Sequence, residues 1–181
     1  EAGVWRGGAC IFMRGILEAF GDTDRRVFVA DSFQGLPPPD PERYPADAGD
    51  EHHTHAALAV SQAEVVANFE RYGLMDHRVV CLPGWFKDTL PTAPIDRLAV
   101  LRLDADMYES TMDALRSLYD KVSPDGYVIV DDYNLPGCRA AIDDFRALRN
   151  IDEAIHQIDA NGAFWRKRRP HVSIVVATYG D

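Results

Sequence analysis

The stretch LAVLRLDAD at residues 98–106, with its echo YVIVDD at residues 127–132, decides the fold. Each is an apolar run that ends in a pair of acidic residues. Runs of this kind read as buried strands of a parallel sheet. In open α/β sheets, ligands gather beyond the carboxyl ends of the strands. Carboxylates converging there repel one another unless a cation joins them. Asp104, Asp106, Asp131 and Asp132 therefore point to a divalent metal site. Asp104 and Asp106 lie two apart, so continuing strand geometry aims both the same way. Asp131 and Asp132 are adjacent, and a turn is needed to aim both at one ion. Hard oxygen donors suit Mg²⁺, Ca²⁺ or Mn²⁺ rather than Zn²⁺. The competing reading is a set of aspartates that each cap a helix.

Outward from these runs, strands and helices alternate. Helical spacing covers Cys10–Phe20, Ser61–Tyr72, Ser110–Lys121 and Cys138–Leu148, and a short helix follows the turn at Gly84. Further strands fall at Arg26–Ala30 and Arg78–Leu82. Asp159-Ala160-Asn161-Gly162 is a hairpin signal between Ala154–Ile158 and Ala163–Arg168. His171–Tyr179 reads as a last strand or a tail. The pattern predicts one doubly wound α/β domain over residues 1–181 with an antiparallel C-terminal edge. Residues 34–55 are polar, rich in Pro, Gly, Asp and His, and aperiodic, which makes them the candidate lid loop. The chain opens on a strand-to-helix turn with no strand before it, as expected of a piece of a longer protein.

Composition narrows the function classes. The chain has 181 residues, enough for one domain with a sizeable core. Its formal net charge of -10 argues against a general nucleic-acid binder or a binder of anionic membranes. Three cysteines, Cys10, Cys81 and Cys138, are odd in number and far apart, which favours a reducing, cytoplasmic setting over a disulfide framework. No apolar run approaches the roughly 18 residues of a membrane span.

Several motifs sit beside the carboxylates. Gly3, Gly7 and Gly8 form a Gly-rich turn where backbone can approach a ligand closely. It is neither a nucleotide-triphosphate loop nor a G-x-G-x-x-G fingerprint. Asp31 ends a strand, where an acidic residue can accept both hydroxyls of a ribose. In Gly84-Trp85-Phe86 an aromatic stands beyond a strand end, where it can cover a flat base. His52, His53 and His55 lie with Asp47, Asp50 and Glu51 in the long loop. They lack zinc-ligand spacing and read as a solvated loop, with substrate contact on closure as the alternative. Arg166–Arg169 is a short basic run of the kind usually found on a solvated face.

Five ordered blocks carry a resemblance: EAGVWRGG from residue 1, VADSFQGLP from 29, GWFKDTLP from 84, LRLDADMYEST from 101 and YVIVDDY from 127. Together they make the chain similar to the macrocin O-methyltransferase family from Glu1 to about Arg168. These are bacterial enzymes that methylate sugar hydroxyls of macrolide and aminocoumarin antibiotics. The resemblance implies a Rossmann-like class I methyltransferase sheet with a reversed C-terminal hairpin, S-adenosylmethionine as donor, and Mg²⁺. It implies that Glu1, Gly3, Val4 and Trp5 hold the donor, with Asp31, Ser32 and Phe33 at its ribose and Gly84 and Trp85 at its adenine. It implies Asp104, Asp131 and Asp132 as metal ligands and Asp106 as general base. It further implies an N-terminal strand and part of a lid ahead of Glu1, absent from this chain.

The expected activity is Mg²⁺-dependent methyl transfer to a small-molecule glycoside, with neither nucleic acid nor membrane as partner. A homo-oligomer is left open. The alternatives are a catechol- or phenol-directed O-methyltransferase and a non-catalytic module that binds a ribosyl ligand.

Overall fold

A computed structural model describes residues 1–169, and the stretch at His171–Tyr179 lies outside them. Among the described residues five α-helices alternate with six strands. In chain order they are α1 (Gly8–Ala19), β1 (Val27–Asp31), α2 (Gln62–Arg71), β2 (Val79–Pro83), α3 (Phe86–Thr89), β3 (Leu98–Leu103), α4 (Tyr108–Leu118), β4 (Val122–Val130), α5 (Pro136–Leu148), β5 (His156–Gln157) and β6 (Ala163–Arg166).

β1 pairs with β2 and β3 with β4, both in parallel. Residues 1–3 join the two pairs. Ala2 bridges Ala30 on one side and Leu103 on the other. The Ala2 N–H donates to the Arg102 carbonyl at 3.0 Å, and the Gly3 N–H to the Ala30 carbonyl at 2.9 Å. What reads in sequence as a turn without a strand is thus itself a strand position at the middle of the sheet. Gly3 has φ 85°, and a Cβ there would stand 1.7 Å from the Asp104 carbonyl oxygen. Only glycine lets the backbones approach so closely. At the far edge β6 runs antiparallel to β4 and β5 antiparallel to β6. Asp159 Oδ1 closes that hairpin by accepting the N–H groups of Asn161 and Gly162, each at 2.8 Å.

Strand alternation places a core on each face of the sheet. Val27 and Val29 of β1 pack with Cys10 of α1 and with Val65 and Phe69 of α2. Ala30 belongs to the other face, with Leu101, Leu103, Val128 and Val130, under Met112 and Leu115 of α4 and Ile142 and Phe145 of α5. Trp165 of β6 and Tyr119 complete that second core.

Three elements depart from the sequence reading. β4 begins at Val122 rather than Tyr127, because Ser123-Pro124-Asp125-Gly126 has turn chemistry yet sits within the strand. The register shifts there, between Leu98 and Val100, and Asp125 takes φ 66°. Helix α4 begins at Tyr108 rather than Ser110, since its first amides find their acceptor in a distant segment, at Asp47. Residues 34–55 are not featureless: 3₁₀ turns form at Pro45–Asp47 and His52–Thr54, and another follows at Ala56–Leu58. No helix among the described residues is long and apolar enough to cross a membrane.

Candidate functional site

Beyond the carboxyl ends of β1, β2 and β3 lies a cavity of about 440 Å³, within the usual size of small-molecule sites. Gly3, Val4, Trp5, Asp31, Ser32, Gly84, Trp85, Asp104 and Asp106 all line it. Asp31 organises its floor. Its Oδ2 accepts the Val4 N–H at 2.8 Å and its Oδ1 the Phe33 N–H at 2.7 Å. Trp5 and Phe33 take φ 45° and 56°, a strained left-handed conformation that these bonds help to hold. Ser32 Oγ donates to the Gly35 carbonyl at 2.6 Å, and Trp5 Nε1 donates to the Ala57 carbonyl at 2.9 Å. The turn and the long loop are thereby tied together.

Glu1 and Phe33 do not line this cavity. The Glu1 side chain is 1% exposed and accepts from the Arg102 guanidinium. Cys10 Sγ also donates to it, at 2.8 Å. Phe33 packs its ring against the core that holds Val65 and Phe69.

Three carboxylates meet at the cavity's edge. One oxygen from each of Asp104, Asp106 and Asp132 lies within 4.8 Å of the other two. The strand does not continue to bring Asp104 and Asp106 together, because β3 ends at Leu103. A turn does so instead: Asp106 has φ 55°, and its N–H donates to Asp132 Oδ2 at 3.2 Å. Asp131 stands outside this group of three and accepts from Arg102 Nη2. Arg102 Nη1 donates to Asp104 Oδ2 at 2.8 Å, so one guanidinium serves Glu1, Asp104 and Asp131.

The electrostatics follow from this crowding. Burial raises the Asp104 pKa, and the Asp131 and Glu1 charges add to the rise against the pull of Arg102. Burial also raises Asp132, followed by the charges of Asp106 and Asp104. Asp106 is raised by burial first, with the Asp50 and Asp131 charges contributing and His52 opposing. The negative charge here exceeds what a single guanidinium balances. A hard dication would relieve it, and an all-carboxylate donor set fits Mg²⁺.

Sequence reasoning missed Arg102 and read Asp47 only as part of a solvated loop. Arg102 interrupts an apolar run, and a lone charge there, two residues before Asp104, was the available signal. Asp47 is 2% exposed although it lies in a polar loop, and no local pattern marks it. The basic run at Arg166–Arg169 makes local pairs: Arg166 and Arg169 with Asp125, and Arg168 with Asp152.

The chain matches the family described as Macrocin-O-methyltransferase (TylF) over residues 1–167. It is 55% identical over 167 residues to the 8-demethyl-8-(2,3-dimethoxy-α-L-rhamnosyl)-tetracenomycin-C 4′-O-methyltransferase of Streptomyces olivaceus, covering 92% of this chain and 64% of that protein. It is 56% identical over 174 residues to the demethyldecarbamoylnovobiocin O-methyltransferase of Streptomyces niveus, covering 93% and 65%. This chain thus spans just under two thirds of the length of these two relatives. The structure of the O-methyltransferase NovP matches with a TM-score of 0.90 at 55% identity, over 93% of this chain and 70% of that one. That likeness establishes an α/β methyltransferase fold with a mixed sheet. The calicheamicin methyltransferase CalS11, at 18% identity and a TM-score of 0.71 over 91% of this chain and 69% of that one, shares the fold.

Proposed function

The chain belongs to the macrocin O-methyltransferase family, and on that premise we propose that the protein transfers a methyl group from S-adenosylmethionine to a sugar hydroxyl of a glycosylated natural product, with Mg²⁺ as cofactor. One observation carries the reading. Asp104 and Asp106 line the cavity built by the Gly-rich turn and Asp31, and both belong to the converging carboxylates. A methyl donor in that cavity would lie beside a site for a divalent cation.

The residues divide the work. Gly3, Val4 and Trp5 present backbone to the donor. Asp31 spends one acceptor position of each oxygen on Val4 and Phe33, and its remaining lone pairs can take the ribose hydroxyls. Ser32 and Phe33 hold the turn around that carboxylate. Gly84 lets the chain turn away from β2, and Trp85 covers the adenine. Glu1 contributes indirectly, by holding Arg102.

Asp104 and Asp132 would hold the metal, with Asp106 facing the same point and Asp131 beside them on Arg102. Mg²⁺ held there would supply positive charge that lowers the pKa of an acceptor hydroxyl. Asp106 accepts the hydrogen bond of that hydroxyl and takes its proton as the oxygen attacks the donor's methyl carbon, whose bond to sulfur breaks to leave S-adenosylhomocysteine. Beside the cation the Asp106 carboxylate would stay ionised and able to accept, with limited basicity, so the cation would do much of the activation. The floor at Asp31 and the wall at Trp85 keep the donor's methyl group aimed at the acceptor, and such alignment supplies much of the rate. The 34–55 segment, which lines both sides of Asp106, covers the acceptor and excludes water.

The test is a panel of acceptors with methyl-labelled donor and Mg²⁺, read by mass spectrometry. The Streptomyces olivaceus relative is named for a rhamnosyl position, so the panel begins with α-L-rhamnosides, continues through other deoxysugar glycosides and ends with catechols. Label on a sugar oxygen is the expected result. Label on catechols alone, or on nothing, contradicts the reading.

A further inference from the structure

A second cavity, of about 370 Å³, lies beside the first, and Asp106 is the residue that lines both. Its walls come from the long loop on one side and from Leu135, Pro136 and Gly137 at the start of α5 on the other. If the first cavity takes the donor, a second reactant reaches Asp106 from here. The size is right for a monosaccharide unit, since small-molecule sites begin at roughly 300 Å³.

One side chain in this cavity is oriented with no role in the scheme above. His52 Nδ1 lies 2.7 Å from Asp50 Oδ2, and the His52 backbone N–H donates to Asp50 Oδ1 at 2.9 Å. An ionised carboxylate only accepts, so Nδ1 carries the hydrogen of that bond. The ring is then fixed in orientation and Nε2 is left for another partner. No described residue bonds Nε2, while His52, His55 and Asp106 line the same space. The Asp50–His52 pair is anchored in turn by Asp47, whose buried carboxylate is bonded to the first amides of α4. The imidazole is therefore presented by a braced segment. Nε2 accepts a hydrogen bond when the ring is neutral and donates one when it is protonated. A sugar hydroxyl can answer either way.

We propose that the second cavity is the seat of the acceptor sugar and that His52, oriented by Asp50, binds one of its hydroxyls through Nε2. The inference rests on the methyltransferase reading and deepens it, by assigning one acceptor-contacting residue in a loop that the sequence reads as solvated, with substrate contact on closure as the alternative.

The experiment measures acceptor kinetics for the wild-type protein, His52→Ala and His52→Gln, using the α-L-rhamnoside or other glycoside that the wild type labels in the panel. Donor-site affinity is followed by calorimetry with S-adenosylhomocysteine, and folding by thermal unfolding. His52→Ala should raise the acceptor KM about tenfold or more, the worth of one hydrogen bond to a bound ligand, with kcat, donor-site affinity and Tm little changed. His52→Gln keeps a side-chain amide able to accept or donate, and should recover most of the loss. An acceptor KM within twofold of wild type in His52→Ala overturns the proposal. So does a glutamine variant as impaired as the alanine one, since that marks a purely structural role. Wild-type protein that labels no glycoside fails the methyltransferase reading itself and takes this inference with it.

Discussion

The backbone N–H of Tyr108 donates to Asp47 Oδ1 at 2.6 Å, fastening the long polar loop to the helix that follows the carboxylates. The neighbouring Glu109 N–H takes the other oxygen at 3.1 Å. One side chain from the loop thus satisfies two amides at the start of α4, where no residue of the helix's own flank caps it. Asp47→Ala should cost about 1–2 kcal/mol in urea unfolding, the usual worth of such a cap. It should also raise the acceptor KM more than it weakens S-adenosylhomocysteine binding. Unchanged stability would show that the loop is held by other contacts.

Gly3 makes the sharpest steric prediction. A methyl group there meets the Asp104 carbonyl oxygen at 1.7 Å, and the backbone is already left-handed. Gly3→Ala must push residues 1–3 away from β3 and move Asp104 with them. We expect several kcal/mol of destabilisation, with donor-site affinity falling at least tenfold in whatever protein remains folded. A variant with wild-type Tm and affinity would refute the close approach.

Asp104 and Asp106 should separate by phenotype. Asp104→Asn removes a proposed ligand and should abolish turnover while weakening Mg²⁺ binding, measured by calorimetry. Asp106→Asn should lower kcat by roughly 10²–10⁴, the range for loss of a general base, with donor-site affinity near normal. Equal loss of metal binding in both variants would make Asp106 a ligand first and a base second.

A pH dependence of stability is set far from this site. Arg14 is 2% exposed, and its Nη2 donates to Asp76 at 2.7 Å and to Glu18 at 2.8 Å. The Arg14 hydrogen bond leads the effects that hold the Asp76 carboxyl well below the usual carboxylate range, and bonds from Arg78 add to it. A group depressed in the folded state stabilises the fold above its unfolded pKa, near ~3.9. That stabilisation is lost as pH falls toward the folded value. Urea unfolding should therefore show stability declining below about pH 5. Asp76→Asn should flatten that decline and cost about 1.5 kcal/mol at neutral pH, the worth of a hydrogen bond to a charged group, since Glu18 still pairs with Arg14. An unaltered pH profile in the variant would refute the assignment.

Much of this was legible in the residues, for definable reasons. Apolar runs such as LAVLRL and YVIV mark strands, but only one face is fully buried: Leu101, Leu103, Val128 and Val130 lie under α4 and α5, while Val100 and Tyr127 on the other face stay exposed. The Asn-Gly signal found its hairpin because turn chemistry is local. Where structure depends on distant partners, the sequence was silent. The start of α4 waits on Asp47, and the early part of β4 pairs with β3 despite its Pro and Gly. The convergence of Asp104 and Asp106 was foreseen, but on the wrong geometry: a left-handed residue aligns them after the strand has ended. Glu1 was expected at the donor; its side chain pairs with Arg102, which stands between three acids, a contact that local sequence could not show. The sequence placed His52 beside Asp50 in the loop, while their pairing and the cavity they line were not legible.

The carboxylates of Asp104, Asp106 and Asp132 are proposed to serve a divalent cation used in methyl transfer. The direct test is turnover of a labelled glycoside by metal-stripped protein as Mg²⁺ is added back. The expected result is a rate near background in EDTA that returns saturably with Mg²⁺, and no such return in Asp104→Asn. Full turnover by the metal-free protein would contradict it.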